Sequence, residues 1–170
     1  QRQMCIRDRK TIVLMRHAHP EYGYDTNDVE RRLTSEGRAA AARSAQYLMQ
    51  NGFVPSVVFT SHAQRAKQTT SVVVQTLNLD PSCVSVHEFI YYGYTTDELL
   101  ELIKTASDDT DTLMIVGHNP DISTATGNLV SQHGISFPPS AVVVVGFDVD
   151  SWQQIEARLG VVISYYASKM

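Results

Sequence analysis

Apolar residues fall into short blocks that alternate with longer amphipathic stretches, a pattern that predicts strands alternating with helices. Buried strands are predicted at the apolar blocks 11–15, 57–59, 83–86, 112–116 and 141–147. Helices are predicted between them, near residues 35–50, 61–77, 95–103 and 120–131. Residues 152–159 alternate well enough to predict a last, antiparallel edge strand. This order predicts a three-layer α/β/α sandwich with a mostly parallel central sheet and an antiparallel edge strand.

Short polar residues mark the start of each predicted helix. They are Thr34, Ser61 with Gln64, Thr95 with Glu98, and Asn119 before Pro120. Ser61 is therefore interpreted as a cap residue, its hydroxyl accepting from the first helical turn. Asn119 is interpreted as a cap as well, with Pro120 at the first helical position, where its missing N–H costs nothing.

The composition of the chain limits the classes of protein to which it can belong. The 170 residues, 43% of them hydrophobic, suit one globular domain, predicted over residues 10–170. Residues 1–9 carry three arginines without apolar periodicity and are interpreted as a flexible or non-native extension. A net charge of −4 without a basic run argues against nucleic-acid binding, and no apolar run approaches membrane-spanning length. Two distant cysteines indicate no disulfide framework, so a cytoplasmic location is expected.

Cationic side chains follow three of the predicted strands. Arg16 and His17 come directly after the first strand, Arg65 lies on the first turn of the helix after the second, and His118 follows the fourth. The carboxyl ends of parallel strands meet at one edge of a sheet, so a single crevice can hold all four. Two arginines and two histidines make an anion site there, and the best candidate anion is a phosphoryl group.

The motifs around these residues resemble the histidine phosphatase superfamily, which has the fold of phosphoglycerate mutases and acid phosphatases. The resemblance is in register from Thr11 to about Phe147. It is carried by Met15-Arg-His-Ala18, Arg32-Leu-Thr-x-x-Gly37, Thr60-Ser-x-x-x-Arg-Ala-x-Gln-Thr69, Glu88 and Val116-Gly-His118. The short chain and its Gly-His-Asn-Pro turn are most similar to the small SixA-like phosphohistidine phosphatases.

The resemblance implies a role for each residue. His17 would be the nucleophile and form a phosphohistidine, while Arg16, Arg65 and His118 would hold the non-bridging oxygens of the phosphoryl group. Glu88, in a Glu-x-x-x-x-Gly spacing, would match the general acid, although a surface carboxylate is an open alternative. No metal or cofactor is expected, because two guanidinium groups already supply positive charge.

Further candidate substrate contacts are Arg31, Arg32 and Asn119. The two arginines precede Leu33-Thr34, where the family often has one arginine near the pocket mouth, but a solvated loop explains them equally well. A metal site built on His17-x-His19, as in amidohydrolase barrels, is disfavoured because that fold needs about 250 residues. Arg16 would also repel a divalent cation.

The motif residues alone do not identify the substrate. The chain has little room for a lid, and an open site favours hydrolysis and bulky substrates such as a phosphohistidine-bearing protein. The interpretation is therefore a metal-independent phosphatase acting through His17 on a phosphorylated substrate. The alternatives are a small-molecule phosphomonoesterase of the same superfamily and, in a different class, a non-catalytic module that binds a phosphorylated ligand.

Overall fold

Five α-helices and six strands alternate along residues 10–168, the part of the chain that the computed structural model describes. The strands are β1 (Lys10–Arg16), β2 (Val57–Thr60), β3 (Val84–Val86), β4 (Thr112–Gly117), β5 (Val142–Phe147) and β6 (Val161–Tyr166). The helices are α1 (Ser35–Gln50), α2 (Gln64–Leu77), α3 (Phe89–Tyr92), α4 (Thr96–Ile103) and α5 (Asp121–Val130). The extension predicted at residues 1–9 lies outside the described residues.

The strands form one sheet in the order β3-β2-β4-β1-β5-β6. Pairing is parallel from β3 to β1, whereas β5 is antiparallel to β1 and β6 is antiparallel to β5. The predicted α/β class and mostly parallel sheet are therefore confirmed. The prediction of one antiparallel strand at the edge misses that β5, inside the sheet, already reverses direction. Its continuous valine run indicates burial on both faces but not direction.

Helices cover both faces of this sheet. Successive residues of β1 point to opposite faces, so Ile12 and Leu14 pack with α4 and α5, whereas Val13 and Met15 pack with α1 and α2. The same alternation in β4 and β5 completes two apolar cores, one on each side. The rigid sheet between them fixes the strand ends on which the polar residues lie.

The predicted strand at residues 152–159 is wrong. Trp152–Gln154 forms a 3₁₀ turn, and the last strand is β6. Trp152 is fully buried and its indole N–H donates to the Thr110 carbonyl at 2.8 Å, which fixes the turn against the core. Trp152 and Ile155, three positions apart, are the buried residues of this segment, so its burial does not follow the alternation of a strand.

Two predicted helix starts are confirmed. The Thr34 hydroxyl accepts from the Gly37 N–H at the start of α1, and Thr95 forms a full capping box with Glu98 at the start of α4. Within the described residues, the helices all fall short of the length and apolar character needed to cross a bilayer.

Candidate active site

The predicted cationic residues meet at the carboxyl end of the parallel strands. Arg16 ends β1, His17 follows it, Arg65 lies on the first turn of α2, and His118 follows β4. All four line one cavity of about 450 Å³. Its full lining is Arg16, His17, His19, Pro20, Arg31, Arg65, His118, Asn119 and Pro139. Side chains separated by up to about a hundred positions in the sequence thus form one cationic site.

His17 lies on the floor of this cavity with 5% of its surface exposed. Its Nδ1 lies 2.7 Å from the Ala18 carbonyl oxygen, which can only accept, so Nδ1 carries the proton. Burial, together with the nearby charges of His118, Arg65 and Arg16, lowers the pKa of His17 to about 3 and outweighs the hydrogen bond to the Ala18 carbonyl, which raises it. The imidazole is therefore neutral at pH 7, with an unprotonated Nε2.

His118 lies beside His17, with ring centroids 5.0 Å apart. Burial, followed by the charge of Arg65, lowers the pKa of His118 to about 4. Its Nε2 lies 2.7 Å from the hydroxyl oxygen of Ser61, and the same hydroxyl oxygen accepts from the Ala63 N–H at 3.2 Å. Because Ser61 is fully buried, donating to His118 Nε2 satisfies its hydroxyl proton. This pattern favours the His118 tautomer with a proton on Nδ1.

The predicted capping box of Ser61 and Gln64 is therefore wrong. Helix α2 begins at Gln64 after Ala63, which makes no side-chain cap. The Ser61 hydroxyl is directed to His118, 57 positions later, instead of to the N–H of residue 64. A Ser-x-x-Gln pattern fits a cap equally well, so sequence spacing alone does not separate the two roles.

Arg16 is fixed by a hydrogen bond from Nη1 to the Phe137 carbonyl at 2.9 Å. Burial and the charge of Arg65 both lower its pKa. Its Nε and the Nδ1 of His118 are buried and have no hydrogen-bond partner within residues 10–168. Buried polar atoms are normally paired, so these two nitrogens beside the cavity point to a polar ligand.

Arg65 is held by the loop that follows β1. Its Nη1 donates to the Asp28 carbonyl at 2.7 Å and its Nη2 donates to the Asp28 carboxylate at 3.0 Å. The same carboxylate oxygen accepts from the Tyr91 hydroxyl at 2.7 Å, and the other accepts from Arg31 at 3.1 Å. Hydrogen bonds from Tyr91, Arg65 and Arg31 outweigh desolvation and lower the pKa of Asp28 to about 2.

The remaining motif residues hold the loops of the site in place. The Thr69 hydroxyl accepts from the Ala18 N–H at 2.9 Å, directly after His17, and donates to the Arg65 carbonyl. Gln68 accepts from the Leu33 N–H at 2.8 Å. A Cβ on Gly37 would lie 2.4 Å from the His19 carbonyl oxygen, so only glycine lets α1 approach that loop.

The other candidates divide into two groups. Arg31 and Asn119 line the cavity, whereas Arg32 and Glu88 are exposed and do not. Asn119 does not cap α5: its side-chain amide donates to the Phe137 carbonyl at 3.0 Å, and α5 begins at Asp121 after a cis peptide between Asn119 and Pro120. The predicted cap at Asn119 and the predicted first helical position of Pro120 are therefore wrong.

Sequence reasoning missed Asp28, and it missed Tyr91 as a contact of Asp28. Asp28 lies in a 3₁₀ turn of the polar loop after β1, and Tyr91 lies on the short helix α3. Tyr91 also places its ring 5.8 Å from the Arg65 guanidinium carbon and 5.5 Å from the His118 ring. Neither residue has a spacing that predicts these contacts, since each depends on the path of a loop.

The potential metal ligands in the cavity lining are three histidines, His17, His19 and His118. Between residues 10 and 168 there is no cluster of three or more His, Cys, Asp or Glu side chains that could hold a metal ion.

Comparison with known proteins shows that part of this site is similar to a known family. Residues 12–90 match the family model described as histidine phosphatase superfamily (branch 1), a span that includes Arg16, His17 and Arg65. An uncharacterized chloroplast protein of Arabidopsis thaliana is 27% identical over 161 residues, which cover 89% of this chain and 72% of that protein.

Solved structures share the fold over nearly the whole chain. A structure from Nakamurella multipartitia, assigned as the phosphohistidine phosphatase SixA, has a TM-score of 0.73 at 26% identity and covers 93% of this chain and 97% of its own. The protein histidine phosphatase SixA complexed with tungstate has a TM-score of 0.78 at 19% identity, with coverages of 92% and 96%. Residues 12–90 are therefore similar to the histidine phosphatase superfamily, and nearly the whole chain shares the fold of these solved phosphatase structures.

Proposed function

We propose that the chain hydrolyses phosphohistidine on proteins, through a covalent phosphohistidine intermediate on His17 and without a metal ion. One observation carries this proposal: within the described residues, the cavity lining combines the neutral imidazole of His17 with three guanidinium groups, those of Arg16, Arg31 and Arg65, but includes no carboxylic acid. Such a site is well equipped to bind and accept a phosphoryl group but poorly equipped to protonate an alcohol leaving group.

The first step follows from the state of His17. Because its pKa is about 3 and its proton is on Nδ1, the lone pair of Nε2 is available at neutral pH. The substrate is phosphohistidine whose second ring nitrogen carries a proton. The lone pair of His17 attacks phosphorus, the bond between phosphorus and the substrate nitrogen breaks, and its electrons stay on that nitrogen, so the substrate imidazole leaves as a neutral ring. The low basicity of His17 also makes it a good leaving group from the phosphoenzyme, which favours the second step.

Arg16, Arg65 and His118 would stabilise the charge of the transferring group. Arg16 Nε and His118 Nδ1 are buried and have no hydrogen-bond partner among residues 10–168, and phosphoryl oxygens would satisfy both. Arg65 keeps the N–H groups that do not bond to Asp28. Three donors of this kind around one phosphoryl group suit a transition state with charge spread over its equatorial oxygens.

The leaving group separates this substrate from a phosphate ester. An imidazole leaves readily from a labile P–N bond, whereas an alkoxide needs a proton from a general acid. Glu88 is exposed outside the cavity, and Asp28, with a pKa of about 2, stays ionised at neutral pH. In the second step, water attacks phosphorus, the P–N bond to His17 breaks, and orthophosphate is released.

The likeness to solved SixA structures supports the same substrate class. The test is to follow a phosphohistidine peptide and p-nitrophenyl phosphate, each with EDTA, using wild type and His17→Ala. We expect wild type to hydrolyse the peptide with a kcat/KM at least tenfold above that for the aryl ester, and His17→Ala to hydrolyse neither. Preference for the aryl ester would indicate a small-molecule phosphomonoesterase. Binding of the peptide without turnover would indicate a binding module.

A further inference from the structure

Two tyrosines stand in solvent at the mouth of the candidate active site. Tyr22 is 86% exposed and Tyr24 is 90% exposed. Their rings stack on each other, with centroids 5.6 Å apart and planes 14° from parallel. Stacking presents one flat amphipathic surface to the outside, and tyrosine is among the residues most enriched where proteins bind one another.

The loop that carries these tyrosines, residues 19–32, is braced. Arg31 donates from Nε to the Glu21 carbonyl at 2.9 Å and from Nη1 to the Asp28 carboxylate at 3.1 Å. The Glu21 N–H donates to the Arg32 carbonyl at 2.7 Å. Gly23 lets the Arg31 side chain pass, since a Cβ there would lie 2.8 Å from Arg31 Cδ. The tyrosine pair is thus held at a defined place, not carried on a free tether.

The tyrosine pair lies at the rim of the candidate active site. Tyr22, Tyr24, Asp28 and Arg31 help line a surface hollow of about 350 Å³, and Arg31 also lines the cavity of the catalytic histidine. His17 is buried on the floor, so a phosphorylated side chain must reach down to it. The polypeptide on either side of that side chain must then lie across the rim.

We propose that the Tyr22–Tyr24 pair docks the polypeptide flanking the phosphorylated histidine of a protein substrate. The proposal rests on the proposed function, because it requires a phosphohistidine to be the group that enters the cavity. It assigns the partner by chemistry: a protein segment that offers apolar side chains and backbone amides to two tyrosine rings and their hydroxyls.

The charge of residues 19–32 restricts which protein segments can dock on the tyrosine pair. Residues 19–32 contain four acidic side chains, Glu21, Asp25, Asp28 and Glu30, against two arginines, Arg31 and Arg32. A net negative loop repels a nucleic acid and disfavours an acidic segment. The flanks of the phosphohistidine are therefore neutral or basic.

The experiment compares two substrates with the same P–N bond. One is free phosphohistidine, and the other is a phosphohistidine peptide with apolar and lysine-containing flanks. The double variant Tyr22→Ser/Tyr24→Ser should lose at least tenfold in kcat/KM on the peptide and stay within twofold of wild type on the free amino acid. Tyr22→Phe/Tyr24→Phe, which keeps both rings, should retain most of the peptide activity. The control variant is Tyr165→Ser, which removes an exposed tyrosine on β6 instead of one on the loop of residues 19–32.

The possible results distinguish a failure of the docking proposal from a failure of the proposed function. Equal losses on both substrates would show that the tyrosines support the chemistry or the loop, and would overturn docking. Unchanged activity of the double serine variant on the peptide would overturn it as well. If wild type hydrolyses neither substrate, the proposed function itself is wrong. Faster turnover of a peptide with glutamate flanks would contradict the assigned charge of the partner.

Discussion

Arg65 donates two hydrogen bonds to Asp28, one to its backbone carbonyl at 2.7 Å and one to its carboxylate at 3.0 Å. The side chain of Asp28 is half exposed, whereas that of Arg65 is almost fully buried. Both terminal nitrogens of the guanidinium are thus tied to one residue of the loop after β1. The contact fixes the direction of Arg65 and leaves its other N–H groups for a phosphoryl group.

Asp28 is expected to position Arg65, and Asp28→Asn should lower kcat about fivefold without raising KM. A half-exposed charged contact is worth about 1 kcal/mol after solvent screening, which corresponds to that factor. KM should not rise, because the substitution removes a negative charge near the anion site. Steady-state kinetics on a phosphohistidine peptide measures both constants. Asp25→Asn, the same charge change at an exposed position of the loop, is the control. Wild-type kcat, or a loss confined to KM, would refute the positioning role.

Ser61→Ala should lower kcat/KM about tenfold. The substitution leaves the buried Nε2 of His118 without its 2.7 Å partner, an unsatisfied group that costs about 1–3 kcal/mol. The ring then loses the hydrogen bond that favours a proton on Nδ1. Nitrogen NMR of His118 should show a changed tautomer ratio. Ser71→Ala, at an exposed serine of α2, should behave as wild type. An unchanged His118 spectrum together with wild-type kinetics would show that Ser61 does not orient His118.

Acid should destabilise the protein through its two buried histidines. The pKa is about 3 for His17 and about 4 for His118, both below the value near 6.5 of an unfolded histidine. The unfolded chain therefore binds more protons at acidic pH. The stability contributed by the two neutral histidines is fully present above pH 6.5 and is lost as the pH falls from there to about 4 for His118 and about 3 for His17. Each histidine contributes up to about 1.4 kcal/mol per pH unit to the slope of the free energy of unfolding against pH.

Urea unfolding at pH 7 and pH 5 measures this effect. The free energy of unfolding of wild type should fall by about 2–4 kcal/mol between the two, and His118→Asn should reduce that fall by about 1–2 kcal/mol. Asp28, with its pKa of about 2, adds to the loss only at still lower pH. Equal falls for wild type and variant would mean that His118 binds its proton equally well in both states.

Glu88→Gln should change kcat/KM for a phosphohistidine peptide by less than twofold. The carboxylate lies exposed just before α3 and outside the cavity lining, and an imidazole leaving group does not need its proton. The same variant assayed with p-nitrophenyl phosphate is the informative comparison. A loss of tenfold or more on the ester would assign Glu88 the general-acid role that the family resemblance implies.

The sequence predicted the layers and the cationic centre because both follow from local signals. Apolar blocks such as Thr112 to Val116 have one stable environment, the middle of a sheet, and the polar residues directly after them must lie at strand ends. Arg65 lies on the first turn of α2, where a cation opposes the positive end of the helix dipole. Its contacts with the cavity and with Asp28 provide the physical reason for its presence there.

The parts that sequence did not predict depend on tertiary contacts. Val142 to Phe147 forms an interior strand, but a run buried on both faces carries no signal of direction. Asp28 reaches Arg65 only because residues 19–32 fold back through Arg31 and Glu21. Ser61 matches a capping pattern, yet its hydroxyl meets a histidine that the fold brings from the end of β4. In each case long-range packing overrides a local preference.

Trapping the phosphoenzyme tests the central claim most directly. Wild type is mixed with excess phosphohistidine peptide, quenched within one turnover under alkaline denaturing conditions that preserve a P–N bond, digested, and analysed by mass spectrometry. We predict a phosphoryl group on His17, which is lost on acid treatment and does not form in His17→Ala. Rapid release of the peptide product with no phosphoryl group on His17, or with phosphorylation at His118 instead, would contradict the mechanism.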